Sequence, residues 1–355
     1  MRVGRISGET VRVGSRSYTF DWIDDWARFP QSASARLGWA HPGMATTAAG
    51  EVITCHPGEP SMLVFDKQGV LVRTIQTGLS EVHGITVVKE GMTEYLWVAD
   101  PGSKRKPELG YEYAQPRQNG QVVKMTSDGQ VVAHIGAPDL PKYRAGTFAP
   151  TCVAVNEERH GGNGDVWVAD GYGENLVHRY SRFSKSGEYL GTISGGEGLG
   201  GPFATPHGVW FDTRRSEPEL YVADRGNRRI QVFDSDGQFK RTFGQDFLSS
   251  PSAFALLDRD VLVVAELRAR LALVDRDDRL IDYVGADEAV CERPGWPNAK
   301  NAAGEVVRPP SLTAGKFNSP HGLAADLEGN LYVAEWLIGG RYTQLLRLGA
   351  SYDPA

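Results

Sequence analysis

Cysteine is scarce in this chain, with three among 355 residues. Cys55, Cys152 and Cys291 are odd in number and far apart, which excludes a disulfide framework as the source of stability. Long apolar runs are also missing, since no stretch approaches the roughly 18 residues of a membrane-spanning helix. The opening residues Met1 to Ile6 carry no signal-peptide core, so the expectation is a soluble cytoplasmic protein. Charge of one sign is lacking as well. Acids and bases are interspersed at a net charge of −6, and the footprint of a nucleic-acid-binding protein is absent. The basic runs Lys104-Arg105-Lys106 and Arg225 to Arg229 are short and read as solvated loop or edge residues. Finally, no long segment shows helical periodicity.

What is present is a repeat. Leu96-Trp97-Val98-Ala99-Asp100, Val166-Trp167-Val168-Ala169-Asp170, Leu220-Tyr221-Val222-Ala223-Asp224, Leu262-Val263-Val264-Ala265-Glu266 and Leu331-Tyr332-Val333-Ala334-Glu335 are apolar strands closed by an acid. A sixth copy, Val52-Ile53-Thr54-Cys55-His56, has a histidine in the acid's place. Further strands follow across Asp-Gly or Ser-Gly turns, as in Ile230 to Phe233, Asp236-Gly237 and Phe239 to Phe243, a strong hairpin signal because both turn positions accept positive φ. Repeats of three or four short strands predict an all-β, six-bladed propeller around a central channel. A ring of blades accommodates 355 residues as a single domain without a linker. The 42 glycines and 20 prolines, spread along the chain at turns, agree with this.

Aligned on the terminal acid, the blades span about residues 38–80, 81–147, 148–200, 201–247, 248–285 and 317–348. Their innermost strands begin near Pro42, His83, Thr151, His207, Ser252 and His321. Histidine therefore recurs in alternate blades, each time as His-Gly, and alternate blades of a six-fold ring differ by a rotation of about 120°. Three imidazoles then converge on the axis and form a trigonal face for a divalent metal, with the remaining position left to water or substrate. For one histidine alone, a turn at the start of the strand would be explanation enough; three in strict alternation point to the axial site. Two segments lie outside the blades. Residues 9–22 read as a strand that supplies the missing outer strand of blade six, and residues 286–316 form a long loop suited to covering one mouth.

These repeats resemble NHL repeats. The run from Phe203-Ala204-Thr205-Pro206-His207-Gly208 to Val222-Ala223-Asp224-Arg225-Gly226-Asn227-Arg228-Arg229-Ile230-Gln231 resembles the lyase domain of the peptidyl-α-hydroxyglycine α-amidating lyases. The likeness extends over about residues 38–348. It implies zinc on the propeller axis, held by His83, His207 and His321, and a base near the metal at Tyr172 of the step Asp170-Gly171-Tyr172. The family's catalytic arginine follows the inner strand of its first blade in an Arg-Gly step, where this chain reads His56-Pro57-Gly58-Glu59. Proline cannot replace a guanidinium, which leaves Arg225 and Arg268 as the arginines able to serve that mouth.

His56, at an acid position, reads either as a proton shuttle or as a turn residue. Cys152, directly after the axial Thr151, retains a minor candidacy as ligand or nucleophile. His41 precedes the axial Pro42, whereas His134, His160 and His178 follow no repeated position. The function expected is that of a metal-dependent lyase or hydrolase acting on a small polar substrate. The alternative is a propeller scaffold for a protein or carbohydrate partner. The calcium-dependent gluconolactonase propellers, whose axial ligands are mainly Glu, Asn and Asp, fit less well. Imidazole ligands suit zinc, iron, copper or nickel alike, so zinc rests on the resemblance.

Overall fold

The computed structural model describes residues 11–15, 18–113, 115, 118–182 and 187–348. Five four-stranded antiparallel sheets and one five-stranded sheet form six blades. The innermost strands are Met44–Thr46, Gly84–Glu90, Cys152–Val155, Pro206–Asp212, Pro251–Leu257 and Pro320–Ala325. Each packs on the innermost strands of both neighbours, and the sixth returns to the first, so the ring is closed. The second strands, such as Val166–Asp170 and Val261–Glu266, are buried along their whole length. This explains their unbroken apolar sequence: both faces of a middle strand lie against a neighbouring blade.

Hydrophobic clusters fill the spaces between blades. Phe211, Leu220 and Phe233 of blade four meet Ala154, Trp167 and Ile193 of blade three, and every other pair of adjacent blades shares such a cluster. Truncating a fully buried ring such as Phe233 would cost about 3–5 kcal/mol by leaving a cavity between two sheets.

Blade six has three strands of its own, Pro320–Ala325, Leu331–Glu335 and Tyr342–Arg347, and the N-terminal segment completes it. The single strand expected over residues 9–22 is two strands, Tyr18–Ile23 and Val11–Ser15. The first pairs with the blade, Phe20 against Arg347 and Trp22 against Leu345, and the second folds back on it as a hairpin. Residues 9 and 10 lie outside the described residues. Phe20 and Trp22 are buried in the cluster between blades five and six, so closure of the ring and formation of the core are one event. Residues 286–316 contain a short 3-10 helix, Glu288–Glu292, and a small hairpin, Ala299–Lys300 with Val306–Val307.

Candidate metal centre and channel mouth

The repeated acid places the axial residue in five of the six blades. Asp100 accepts the backbone N–H of Ser80 (2.8 Å) and Glu81 (3.0 Å), just before His83. Asp224 accepts Ala204 N–H at 2.7 Å, before His207, and Glu335 accepts Ser319 N–H at 2.7 Å, before His321. Asp170 and Glu266 do the same ahead of Thr151 and Ser252. A buried carboxylate satisfied by backbone donors thus pins the chain where it enters the channel wall.

Each axial histidine is then oriented by the next blade. His83 Nδ1–H donates to Thr151 O (2.6 Å), His207 Nδ1–H to Ser252 O (2.8 Å) and His321 Nδ1–H to Pro42 O (3.0 Å). The acceptors are the axial residues of the three blades without histidine. The glycine after each histidine follows from the same contact. A Cβ on Gly84 or Gly208 would lie 2.6 Å from that carbonyl oxygen, and one on Gly322 closer still. The His-Gly step is therefore a close approach between blades, with every Nδ1 proton committed outward and every Nε2 lone pair turned to the axis.

A fourth imidazole joins them. His41, His83, His207 and His321 are all buried, and their ligand atoms lie within 4.8 Å of one another. His41 falls outside the repeated position, and only its proximity to Pro42 signalled it. Its Nδ1–H faces Glu81 Oε2 at 3.3 Å, and Glu81 Oε1 accepts from Lys104 Nζ at 3.0 Å. Burial would raise the Glu81 carboxyl, but Lys104 and His41 outweigh it and hold it at about 2. Burial, joined by the neighbouring imidazoles and Arg225, also lowers His83, His207 and His321 well below the usual imidazole range, keeping them neutral.

Tyr172 lies on this cluster. Its hydroxyl is 2.9 Å from His41 Nε2 and 3.0 Å from His207 Nε2. His207 and His321 approach Nε2 to Nε2 at 3.1 Å, and His41 and His83 at 3.2 Å. With the Nδ1 protons directed outward, four Nε2 lone pairs share one phenolic proton. A divalent cation accepting several lone pairs resolves that excess, and these two N···N spacings are near the roughly 3.3 Å edge of a tetrahedron with bonds of about 2.0–2.1 Å. The donor set fits a metal ion.

The histidine layer separates two spaces. On one side, a channel of about 290 Å³ runs down the axis between inner-strand residues such as Ile85, Val209 and Leu323. Cys152, whose thiol burial pushes up, lines that channel. On the other side a mouth of about 450 Å³ is bounded by His41, Tyr172, Arg225, Arg105, Tyr113 and Trp336. Arg225 Nη2 donates to the Tyr172 hydroxyl at 3.4 Å, and its guanidinium lies 5.5 Å from the ring centre. Burial pushes the Tyr172 phenol up, and Arg225 opposes this.

Two other sequence candidates lie elsewhere. Arg268, half-buried, pairs with the exposed Glu292 and is not among the mouth residues. His56 Nδ1 accepts the backbone N–H of Gly58 (3.1 Å) and Glu59 (2.9 Å), the arrangement of a turn.

In the basic run at 104–106, Lys106 is exposed as expected, but Lys104 and Arg105 are not part of a solvated face. Lys104 is buried against Glu81, and Arg105 stacks on Trp39 (5.1 Å) and Tyr113 (4.6 Å) at the mouth. Arg105 Nε, Trp39 Nε1 and Trp336 Nε1 are buried donors without a partner among the described residues. The wall of the mouth is thus built by the excursion of blade two between Thr93–Asp100 and Gln121–Thr126. Residues 286–316 instead enclose a separate cavity beside blade six.

No family model matches the chain. Human NHL repeat-containing protein 3 is 30% identical over 224 residues, covering 61% of this chain and 58% of that protein. Its mouse counterpart is 28% identical over 279 residues, 73% and 74% of the two chains. This chain therefore matches little more than half of the human relative's length. Mouse peptidyl-glycine alpha-amidating monooxygenase is 29% identical over 192 residues, 52% of this chain and 17% of that protein. Among solved structures, a streptogramin B lyase superposes with a TM-score of 0.54 at 12% identity, covering 93% of this chain and all of that one. A gluconolactonase from Xanthomonas campestris gives 0.56 at 14%, with 96% of each covered. At these identities the two structures speak for the fold alone.

Proposed function

We propose that this chain, an NHL-repeat six-bladed β-propeller, is a metal-dependent enzyme of the lyase type acting on a small polar substrate at the mouth above the histidine layer. The observation that carries the reading is the convergence of His83, His207 and His321, each locked through Nδ1, with Tyr172 and Arg225 on the open side. His83, His207 and His321 would hold the ion, with His41 as a further candidate. A divalent ion there supplies positive charge that stabilises an oxyanion and eases ionisation of a nearby phenol.

The chain's own groups set out the rest. Tyr172, against two imidazoles and a guanidinium, is the group able to take a proton at its hydroxyl oxygen. For a carbinolamide, the substrate's O–H bond breaks as its C=O bond forms, the C–N bond breaks, and the proton ends on the amide nitrogen. Arg225 holds the phenol in place. Arg105, with its unpartnered Nε, favours a substrate that brings acceptor oxygens. Partial identity to the amidating monooxygenase supports this direction, but Pro57 stands where that family's first-blade arginine would be, so the substrate is expected to differ.

A second reading draws support from His41. Four histidines are enough to close a structural metal site, and the propeller would then be a scaffold for a protein partner. The experiment is to incubate metal-replete protein with a panel of carbinolamides, esters and hydroxy acids and to assay for carbonyl or carboxylate product. Turnover that falls at least about a hundredfold in Tyr172→Phe, with metal retained, supports the enzyme. Absence of turnover across the panel, with metal lost from His41→Ala, supports the scaffold.

A further inference from the structure

Residues 286–316 and blade six enclose a cavity of about 360 Å³ that the proposed chemistry does not use. Its interior is apolar, with Val290, Trp296, Pro309, Leu312 and Phe317 in the wall. Trp296 is fixed by Nε1–H donation to Asn318 O at 2.9 Å. One polar group inside lacks a partner. Asn298 is 4% exposed, its Oδ1 accepts Ile338 N–H at 2.9 Å, and its Nδ2 has no hydrogen bond among the described residues. A buried amide donor left unpaired costs stability.

The rim is positively charged. Arg293, Lys300 and Lys316 line the cavity with one acid, Asp287; a fourth cation of the wall, Arg341, is already paired with Asp24 and Glu335. None of the three cations has a carboxylate partner among the described residues, and Lys316 Nζ donates only to the backbone oxygen of Ala286, at 2.6 Å. An apolar pocket with three cations at its edge that lack carboxylate partners is complementary to an apolar body bearing one carboxylate. Trp296 closes the side towards the metal centre by packing on Trp336 (6.4 Å between ring centres), which in turn lies 5.9 Å from His41.

We infer that this cavity is a second ligand site, distinct from the channel mouth, that binds a small apolar or aromatic carboxylate. The test is calorimetric titration of the full chain with 1-naphthoate and with the uncharged 1-naphthamide. The variants are Arg293→Glu combined with Lys300→Glu, Leu312→Trp to fill the pocket, and Arg225→Ala to alter the mouth alone. The expected result is saturable binding of naphthoate. It should weaken roughly tenfold for the amide and for the double charge reversal, disappear in Leu312→Trp and persist in Arg225→Ala. The inference is overturned by an absence of saturable binding or by equal affinity for acid and amide. It is also overturned if binding survives Leu312→Trp but is lost in Arg225→Ala, which would put the ligand at the mouth. The outcome does not depend on turnover, so it stands or falls separately from the proposed enzyme.

Discussion

At the scale of single residues, the site is a problem in proton placement. Each axial imidazole commits Nδ1–H to a carbonyl of the adjacent blade, and the following glycine makes that approach sterically feasible. Gly208→Ala is therefore expected to push the Ser252 carbonyl away from His207 and to weaken metal binding on the order of 10- to 100-fold, as disturbance of a ligand's outer partner does. Competition with a chromogenic chelator would measure it. His178 supplies a pH test away from the centre. Burial, with Lys142 adding to it, lowers this imidazole from its ordinary 6.5 to about 3. It lies between Tyr143 Oη and Thr192 Oγ1, both at 2.7 Å.

Between pH 6.5 and 3 the unfolded chain protonates His178 while the native chain does not, so this residue's contribution is present above 6.5 and lost as pH falls. Nearby Asp170, raised to about 6 chiefly by burial, acts in the opposite sense. Comparison with His178→Gln isolates the histidine. The variant's Tm should fall less than the wild type's between pH 6.5 and 3, and equal slopes would contradict the assignment.

At the scale of elements, legibility followed periodicity. The apolar strand with its terminal acid could be phased by eye because that acid has a repeated task, pinning the backbone ahead of the axial residue. His83, His207 and His321 came with the phase. What escaped lay in irregular segments. His41 stands one residue outside the repeated position, and Lys104 and Arg105 belong to an excursion where charge ordinarily means solvent. Their burial depends on Glu81, Trp39 and Tyr113, which are brought to them only by the ring. His56 shows the converse. It occupied a repeated position, yet Pro57 and Gly58 turn the chain so that its ring accepts from the following amides instead of the preceding ones.

Two predictions belong here. Removing Lys104 leaves Glu81 buried beside a histidine without its ammonium partner, so Lys104→Met should cost about 3–5 kcal/mol in a denaturant titration. The closing strand Tyr18–Ile23 buries Phe20 and Trp22. Phe20→Ala should cost a further few kcal/mol, roughly 3–5, and should expose the edge of Tyr342–Arg347 to self-association. Light scattering near the unfolding midpoint would detect it.

At the scale of the whole molecule, the propeller uses its pseudo-symmetry unevenly. Five blades carry an acid that fixes the axial backbone. Three of the six present histidine and three present the carbonyl that orients it, so the ring itself creates a three-fold site no single blade contains. The departures from symmetry, His41, Tyr172, Arg225 and the blade-two excursion, gather on one side of that site and make a mouth of it. Four Nε2 lone pairs facing one another around a single phenolic proton call for a metal ion in either reading, and it is the mouth beside them that favours catalysis.

That crowding of lone pairs is the central claim, and the most direct measurement is elemental mass spectrometry of the purified protein, never exposed to chelators, alongside His207→Ala. About one equivalent of zinc or another transition metal in the wild type, absent from the variant, is the predicted result. A wild-type protein without stoichiometric metal would contradict the account.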